Sequence, residues 1–251
     1  MKTMKNLFLL ILTISIFSCS DDDAPPCVTQ TWYADADGDS LGDPNVSVEE
    51  CEQPEGFVGN SNDSDDSDPL NLDPIIGGTF ENLHAPQAGG QGQPASGEFV
   101  KFNFSTGEIT ESETEWDIAF RATTVIINGG TGTGLADAPE RNGNGGAYIH
   151  DEIFENISDV NVNDFAKDDN DELAIPKSAF DPSVGWYTYN STTHIISPTI
   201  NKNLIIKTHD GKYAKVKIVN YYKDLQDTDY TQSGYYTFDY VYQPNEGLET
   251  F

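Results

Sequence analysis

The chain has 251 residues and a formal net charge of −29, from 42 Asp and Glu against 13 Lys and Arg. That sign excludes a nucleic-acid partner, because phosphate binding rests on Lys and Arg. With 37% hydrophobic residues the chain still has the means to bury a substantial core.

Lys2 and Lys5 precede an apolar run from Leu7 to Phe17, which Ser18 and Cys19 close. A charged start and a short apolar stretch make an export signal, too short for a membrane-spanning helix. Ser18-Cys19 resembles a bacterial lipobox, although Ile16 and Phe17 depart from its usual Leu and Ala. The resemblance implies a signal peptide over 1–18 and a mature chain acylated at Cys19. Two or more acyl chains give stable anchoring, at about 0.8 kcal/mol per buried methylene. The tether 19–26 contains Ser20-Asp21-Asp22-Asp23, which resembles the acidic signal that sends Gram-negative lipoproteins to the outer face of the outer membrane. The plain alternative is an ordinary signal peptide with an incidental cysteine.

Cys27 and Cys51 remain, an even pair in an exported chain, and read as a disulfide rather than a metal or catalytic site. They open a module over 27–74. Residues 21–73 hold sixteen Asp or Glu and no Lys or Arg, so this stretch is either a solvated spacer or a cation site. Asp35, Asp37, Asp39 and Asp43 alternate with small residues, and Asp63, Asp65, Asp66 and Asp68 form a second cluster. Calcium takes six to eight hard oxygens at roughly 2.3–2.6 Å, and a loop with Asp at positions 1, 3 and 5 can wrap one ion. The arrangement resembles the Asp-rich calcium motif of MopE-type and thrombospondin type 3-like repeats, with Ser40 where Gly is usual and Ser64 where Cys is usual. A disulfide and an ion would substitute for a core that these residues cannot build. The competing reading is a disordered acidic spacer.

Residues 75–251 have the opposite character. Val100, Phe102 and Phe104 alternate with Lys101 and Asn103, Trp116–Phe120 and Val125–Ile127 read as strands, and no stretch sustains a 3.6-residue period. Leu204–Ile206, then Asp210-Gly211, then alternating Ala214, Val216 and Ile218 predict a hairpin with a two-residue type I′ turn. Tyr213, Lys215, Lys217 and Val219 are assigned to its other face. Tyr236, Phe238, Tyr240 and Tyr242 put four aromatics on one face of a last strand. The predicted fold is all-β, mostly antiparallel, with little helix.

Five segments occur in order: FVKFNFSTGE (99–108), WDIAF (116–120), NGGTG (128–132), GGA (145–147) and THDGKYAK (208–215). Together they resemble the HmuY family of haem-binding bacterial lipoproteins over about residues 78–245. The resemblance implies an antiparallel β scaffold, a lipid anchor, surface exposure and haem held by two axial side chains, with an outer-membrane receptor as partner. Haem iron takes His, Met, Cys or Tyr. Met1 and Met4 leave with the leader and the cysteines are assigned, so histidines and tyrosines remain. His84 and His209 read as loop and turn residues. His150 and His194 are the candidate axial pair, and Arg121 and Arg141 the candidate partners of the propionates. Tyr148, Trp186 and Tyr189 could pack on a porphyrin. Each has a bland alternative: surface imidazoles, arginines paired with nearby acids, and core aromatics.

Two further functions stay open. A HmuY-like scaffold without haem would recognise a glycan, a siderophore or a protein. An enzyme lacks support: no Gly-x-Ser-x-Gly elbow, His-Glu-x-x-His pair or phosphate loop occurs, and only the abundance of carboxylates keeps a glycoside-cleaving pair conceivable.

Overall fold

The computed structural model describes residues 27–70, 72–89, 94–132, 134–169, 172–177 and 181–251. The chain divides into two compact units, 1–71 and 72–251. In the first, β1 (Gln30–Ala34), β2 (Ser47–Glu50) and β3 (Phe57–Val58) form an antiparallel sheet in the order β2-β1-β3. Cys27 and Cys51 are disulfide-bonded, as their pairing in sequence predicts. Among the described residues of this unit the one buried side chain is a carboxylate, Asp63. A hydrophobic core does not hold it together.

The second unit is built from eleven strands and has no α-helix among the described residues. These are β4 (Ile76–His84), β5 (Val100–Asn103), β6 (Glu108–Thr110), β7 (Ile118–Arg121), β8 (Thr124–Ile127), β9 (Gly146–Asp151), β10 (Tyr187–Asn190), β11 (Ile195–Pro198), β12 (Lys202–Lys207), β13 (Tyr213–Tyr222) and β14 (Ser233–Gln243). One sheet runs β4-β14-β13-β12-β9, a second β6-β5-β7-β8, and β10 pairs with β11 alone. All these pairings are antiparallel.

The alternation read in the sequence becomes the packing. Ala214, Val216 and Ile218 join Tyr236, Phe238, Tyr240 and Tyr242 in the core between the two larger sheets. Phe102 stands edge-on to Phe238 at 5.2 Å and Phe120 stacks on it at 5.7 Å, each such pair contributing about 0.5–1.5 kcal/mol beyond burial. The outer face of the five-stranded sheet carries a second cluster around Tyr148, Ile205 and Tyr213. There Lys215 donates to the carbonyls of Phe154 and Ile157, pinning that segment onto the sheet. Burial pulls this lysine below the usual ammonium range.

The turn of the β12–β13 hairpin differs from expectation. Gly211 N–H donates to the Thr208 carbonyl, and of the turn residues only Gly211 has positive φ, at 98°. A type I turn centred on His209 and Asp210, closed by a left-handed glycine, replaces the two-residue type I′ turn. The longer loop has a use. His209 donates its backbone N–H to Asp117 Oδ1 at 3.0 Å and sets Nδ1 at 2.6 Å from the same oxygen. Asp117 is buried beside β7, and its other oxygen accepts from Phe104 N–H at 2.8 Å. One carboxylate thus ties the tip of one sheet to two segments of the other.

The glycine patches are equally structural. Gly130 has φ +89°, and a Cβ there would collide with the Asp168 carbonyl. The Asn128 side chain donates to the carbonyls of Thr114 and Trp116 and accepts from the N–H groups of Asn142 and Gly143. Asp168 is fully buried and accepts from Ile127 N, Ala174 N and Arg141 Nη2.

Two expectations follow. Asp168→Ala, which removes the buried counter-charge of Arg141, lowers the unfolding free energy by roughly 3–5 kcal/mol. Asp151→Ala, which removes the exposed partner of Lys202, costs less than about 1 kcal/mol; urea denaturation compares them. The Asp117 hydrogen bond raises the His209 imidazole above its ordinary value, so its contribution is complete below about pH 6.5 and fades as pH rises through the folded-state value. The midpoint of thermal unfolding accordingly falls over that interval, and His209→Gln flattens the fall.

Candidate functional site

The β10–β11 hairpin has a buried base and an exposed tip. At the base, Trp186 and Tyr187 lie in the inter-sheet core, and Tyr187 Oη reaches Thr123 Oγ1 at 3.3 Å. Trp186 is 1% exposed, so it is a core residue and not a ring-stacking surface. Higher up, Ile196 N–H donates to Tyr222 Oη at 2.8 Å. The tip closes through Asn190, whose side chain accepts from Thr192 and Thr193 N–H and whose carbonyl accepts from His194 N–H.

His194 takes φ +60°, a left-handed conformation uncommon outside glycine but enriched for histidine. Its exposed ring stands with Nδ1 2.5 Å from Tyr189 Oη. Tyr230, 57% exposed, approaches the same ring edge-on at 5.9 Å. His84, on β4, stacks on Tyr235 of β14 at 4.1 Å and 8°. Tyr230 is a contribution the sequence reading missed, because it lies in a polar loop without periodicity.

His150 lies elsewhere. On β9 it shares the outer face with Tyr148, whose ring it meets edge-on at 6.2 Å, and it pairs across to Asn203. Tyr148 belongs to the second cluster and holds Asn161 N–H through its hydroxyl, so it too is packing. Ile195 and Ile196, beside His194, pack against the inter-sheet core. Among the described residues no hydrogen bond or ring contact joins His150 to His194. The expected facing pair is not formed by these two, because alternation along β9 turns His150 away from the core the hairpin covers.

The two arginines are also redirected. Arg121 is 1% exposed; its Nη1 donates to the carbonyls of Gly97 and Ala136, and its guanidinium lies 4.2 Å over Phe99. Arg141 donates to the Pro139 carbonyl and pairs with buried Asp168. Both forks serve internal acceptors, so neither presents itself to a ligand carboxylate.

In the first unit, carboxylate oxygens of Asp35, Asp37 and Asp39 converge, and so do those of Asp37, Asp63 and Asp66. Asp37 is common to both groups. Each residue spends an oxygen on a backbone N–H: Asp35 on Gly38, Asp37 on Asp39, Asp39 on Leu41, Asp63 on Asp65, Asp66 on Ala36. Yet Asp63 is 2% exposed, and the Oδ2 atoms of Asp37 and Asp63 are buried without a hydrogen-bond partner. Desolvation, with the carboxylates of Asp39, Asp63 and Asp66, pushes Asp37 up. Ser40 adopts φ +76°, the strained geometry for which glycine is usual. Asp43, Asp65 and Asp68 belong to neither group and accept from the N–H groups of Asn45, Ser67 and Leu70. Five of the eight expected ligands therefore converge and three cap turns. Cys19 lies outside the described residues.

No curated protein matches the chain. Among solved structures it is similar to an apo HmuY analog from Tannerella forsythia, at 15% identity, covering 69% of this chain and 99% of that one with a TM-score of 0.45. A Bacteroides vulgatus protein described as HmuY-like and heme-binding gives 16% identity, 68% and 93% coverage and a TM-score of 0.39. A Bacteroides fragilis chain described as a lipoprotein gives 19%, 59% and 83%, and 0.37. The family model of the HmuY protein matches residues 96–240, more than half of the chain, and the chain belongs to the HmuY family.

Proposed function

We propose that this protein is a non-enzymatic binding protein, anchored through Cys19 on the outer face of the outer membrane, that captures haem and passes it to an outer-membrane receptor. Family membership motivates the ligand, and one observation carries the site: an imidazole and a phenol stand together at an exposed hairpin tip. This donor set fits haem iron, which accepts either side chain. It does not fit the propionates through Arg121 and Arg141, whose guanidinium groups are buried. Tyr230 offers an exposed ring for apolar contact, and the buried base of the hairpin keeps the tip in place. The acidic surface, at −29 overall, works against long-range attraction of a dianionic porphyrin. Capture would therefore depend on iron ligation and ring burial.

That imbalance favours a second reading, in which the same tip recognises a glycan, a siderophore or a protein through its tyrosines and histidine. For the first unit we propose a bound calcium ion at Asp37, Asp63 and Asp66, stiffening a spacer between anchor and β domain. The buried, unpartnered oxygen of Asp63 supports it, since a buried carboxylate without a counter-charge is costly.

Haemin titration of the mature protein is expected to give a saturable Soret shift, weakened by His194→Ala and unchanged by His150→Ala. A flat titration, with retention on a glycan array, would leave the second reading standing. For the spacer, Asp63→Asn is expected to be more stable than the parent in EDTA, by roughly 1–3 kcal/mol for a relieved buried acceptor. In millimolar calcium, a concentration suited to extracellular modules, it is expected to be less stable. A parent midpoint indifferent to calcium removes the ion.

A further inference from the structure

Resting on the haem reading above, we propose that the iron-binding atom of this protein is Tyr189 Oη, with His194 as the base that receives its proton. The argument begins with the hydrogen bond. A phenol always has a proton to donate, and a neutral imidazole protonated on Nε2 has its lone pair on Nδ1. The 2.5 Å separation of Tyr189 Oη and His194 Nδ1 suits that direction of donation. The ring meets Tyr189 from a left-handed backbone at His194, and a conformation that costs energy persists where surrounding contacts hold it.

The second step is the count of available ligands. A site with two imidazoles needs a histidine facing His194, and His150 is on the outer face of the five-stranded sheet beside Tyr148. His84 is stacked on Tyr235 and His209 is bonded to Asp117. An anionic oxygen does not need such a partner: a phenolate is a hard donor that holds ferric haem as a single protein ligand, a mode haem proteins use. Tyr189 is half-buried on β10, two residues from the core-embedded Tyr187, so its position is set by the rigid end of the hairpin and not by the loop.

The balance is simple. With haem bound, Tyr189 Oη would exchange its O–H bond for the bond to iron, and the proton would pass to His194 Nδ1. No electron would be transferred. The imidazolium would then carry N–H on both nitrogens, and its Nδ1–H would donate back to Oη and hold Tyr189 in place. His194 acts as a positioning residue through Tyr189 and does not itself touch the metal. Tyr230 packs edge-on against that imidazole at 5.9 Å.

The test uses the full mature chain with haemin, read by visible absorption and resonance Raman. The wild-type complex is expected to show a phenolate-to-iron charge-transfer band and phenolate ring modes. Tyr189→Phe loses both. His194→Ala keeps both but binds about 10–100-fold more weakly, as removal of a partner that orients a ligand does. Unchanged far-UV circular dichroism in each variant certifies the fold. A low-spin imidazole spectrum that survives Tyr189→Phe and vanishes in His194→Ala overturns the ligand assignment while leaving haem capture intact. Absence of any spectral change in the wild type overturns both.

Discussion

The Asp117 carboxylate organises the second unit. Buried next to the first residue of β7, it accepts from Phe104 N–H with one oxygen and from the His209 backbone and ring with the other. An ionised carboxylate removed from water is tolerated where its lone pairs are filled, and here three donors fill them. The donors come from both sheets, so satisfying one charge also fixes where the β12–β13 turn sits over the four-stranded sheet. Once that turn is placed, β12 and β13 present Leu204, Ile206, Ala214 and Val216 to the core. Their alternate residues face outward, where Lys215 catches the 154–157 segment.

Loop chemistry around this frame is almost wholly structural. Asn128, Asp168, Arg121 and Arg141 are buried, and their polar groups close the long connections between β8, β9 and β10. A chain so rich in loops must satisfy many backbone groups away from regular sheets, and buried side chains do that here. The consequence for ligand binding is that both arginines and Asp168 are already committed. At the β10–β11 tip, by contrast, an imidazole and two phenols stand outside the core.

Much of this was legible in the sequence. Period-two alternation in FVKFNF, in YAKVKI and in YTFDYVY gave the strands and their inward faces, because one face of each meets the core. The cysteine pair gave its bridge. Asp residues at alternate positions gave a converging acidic loop, although local turns claimed Asp43, Asp65 and Asp68. Less legible was the use of single polar residues. Asp210-Gly211 suggested a two-residue turn, but the Asp117 carboxylate, 92 residues away from His209 in sequence, selects a longer one.

The sequence by itself determined the class of fold, the inward faces of β13 and β14, and the disulfide. Those follow from composition and short periodicity, which are local. Only the tertiary structure decided which histidine stands with which tyrosine, that Arg121 and Arg141 face inward, and that Asp63 is buried beside Asp37. Such juxtapositions join residues far apart in the chain. They depend on how strands register and loops close, and no local pattern encodes them.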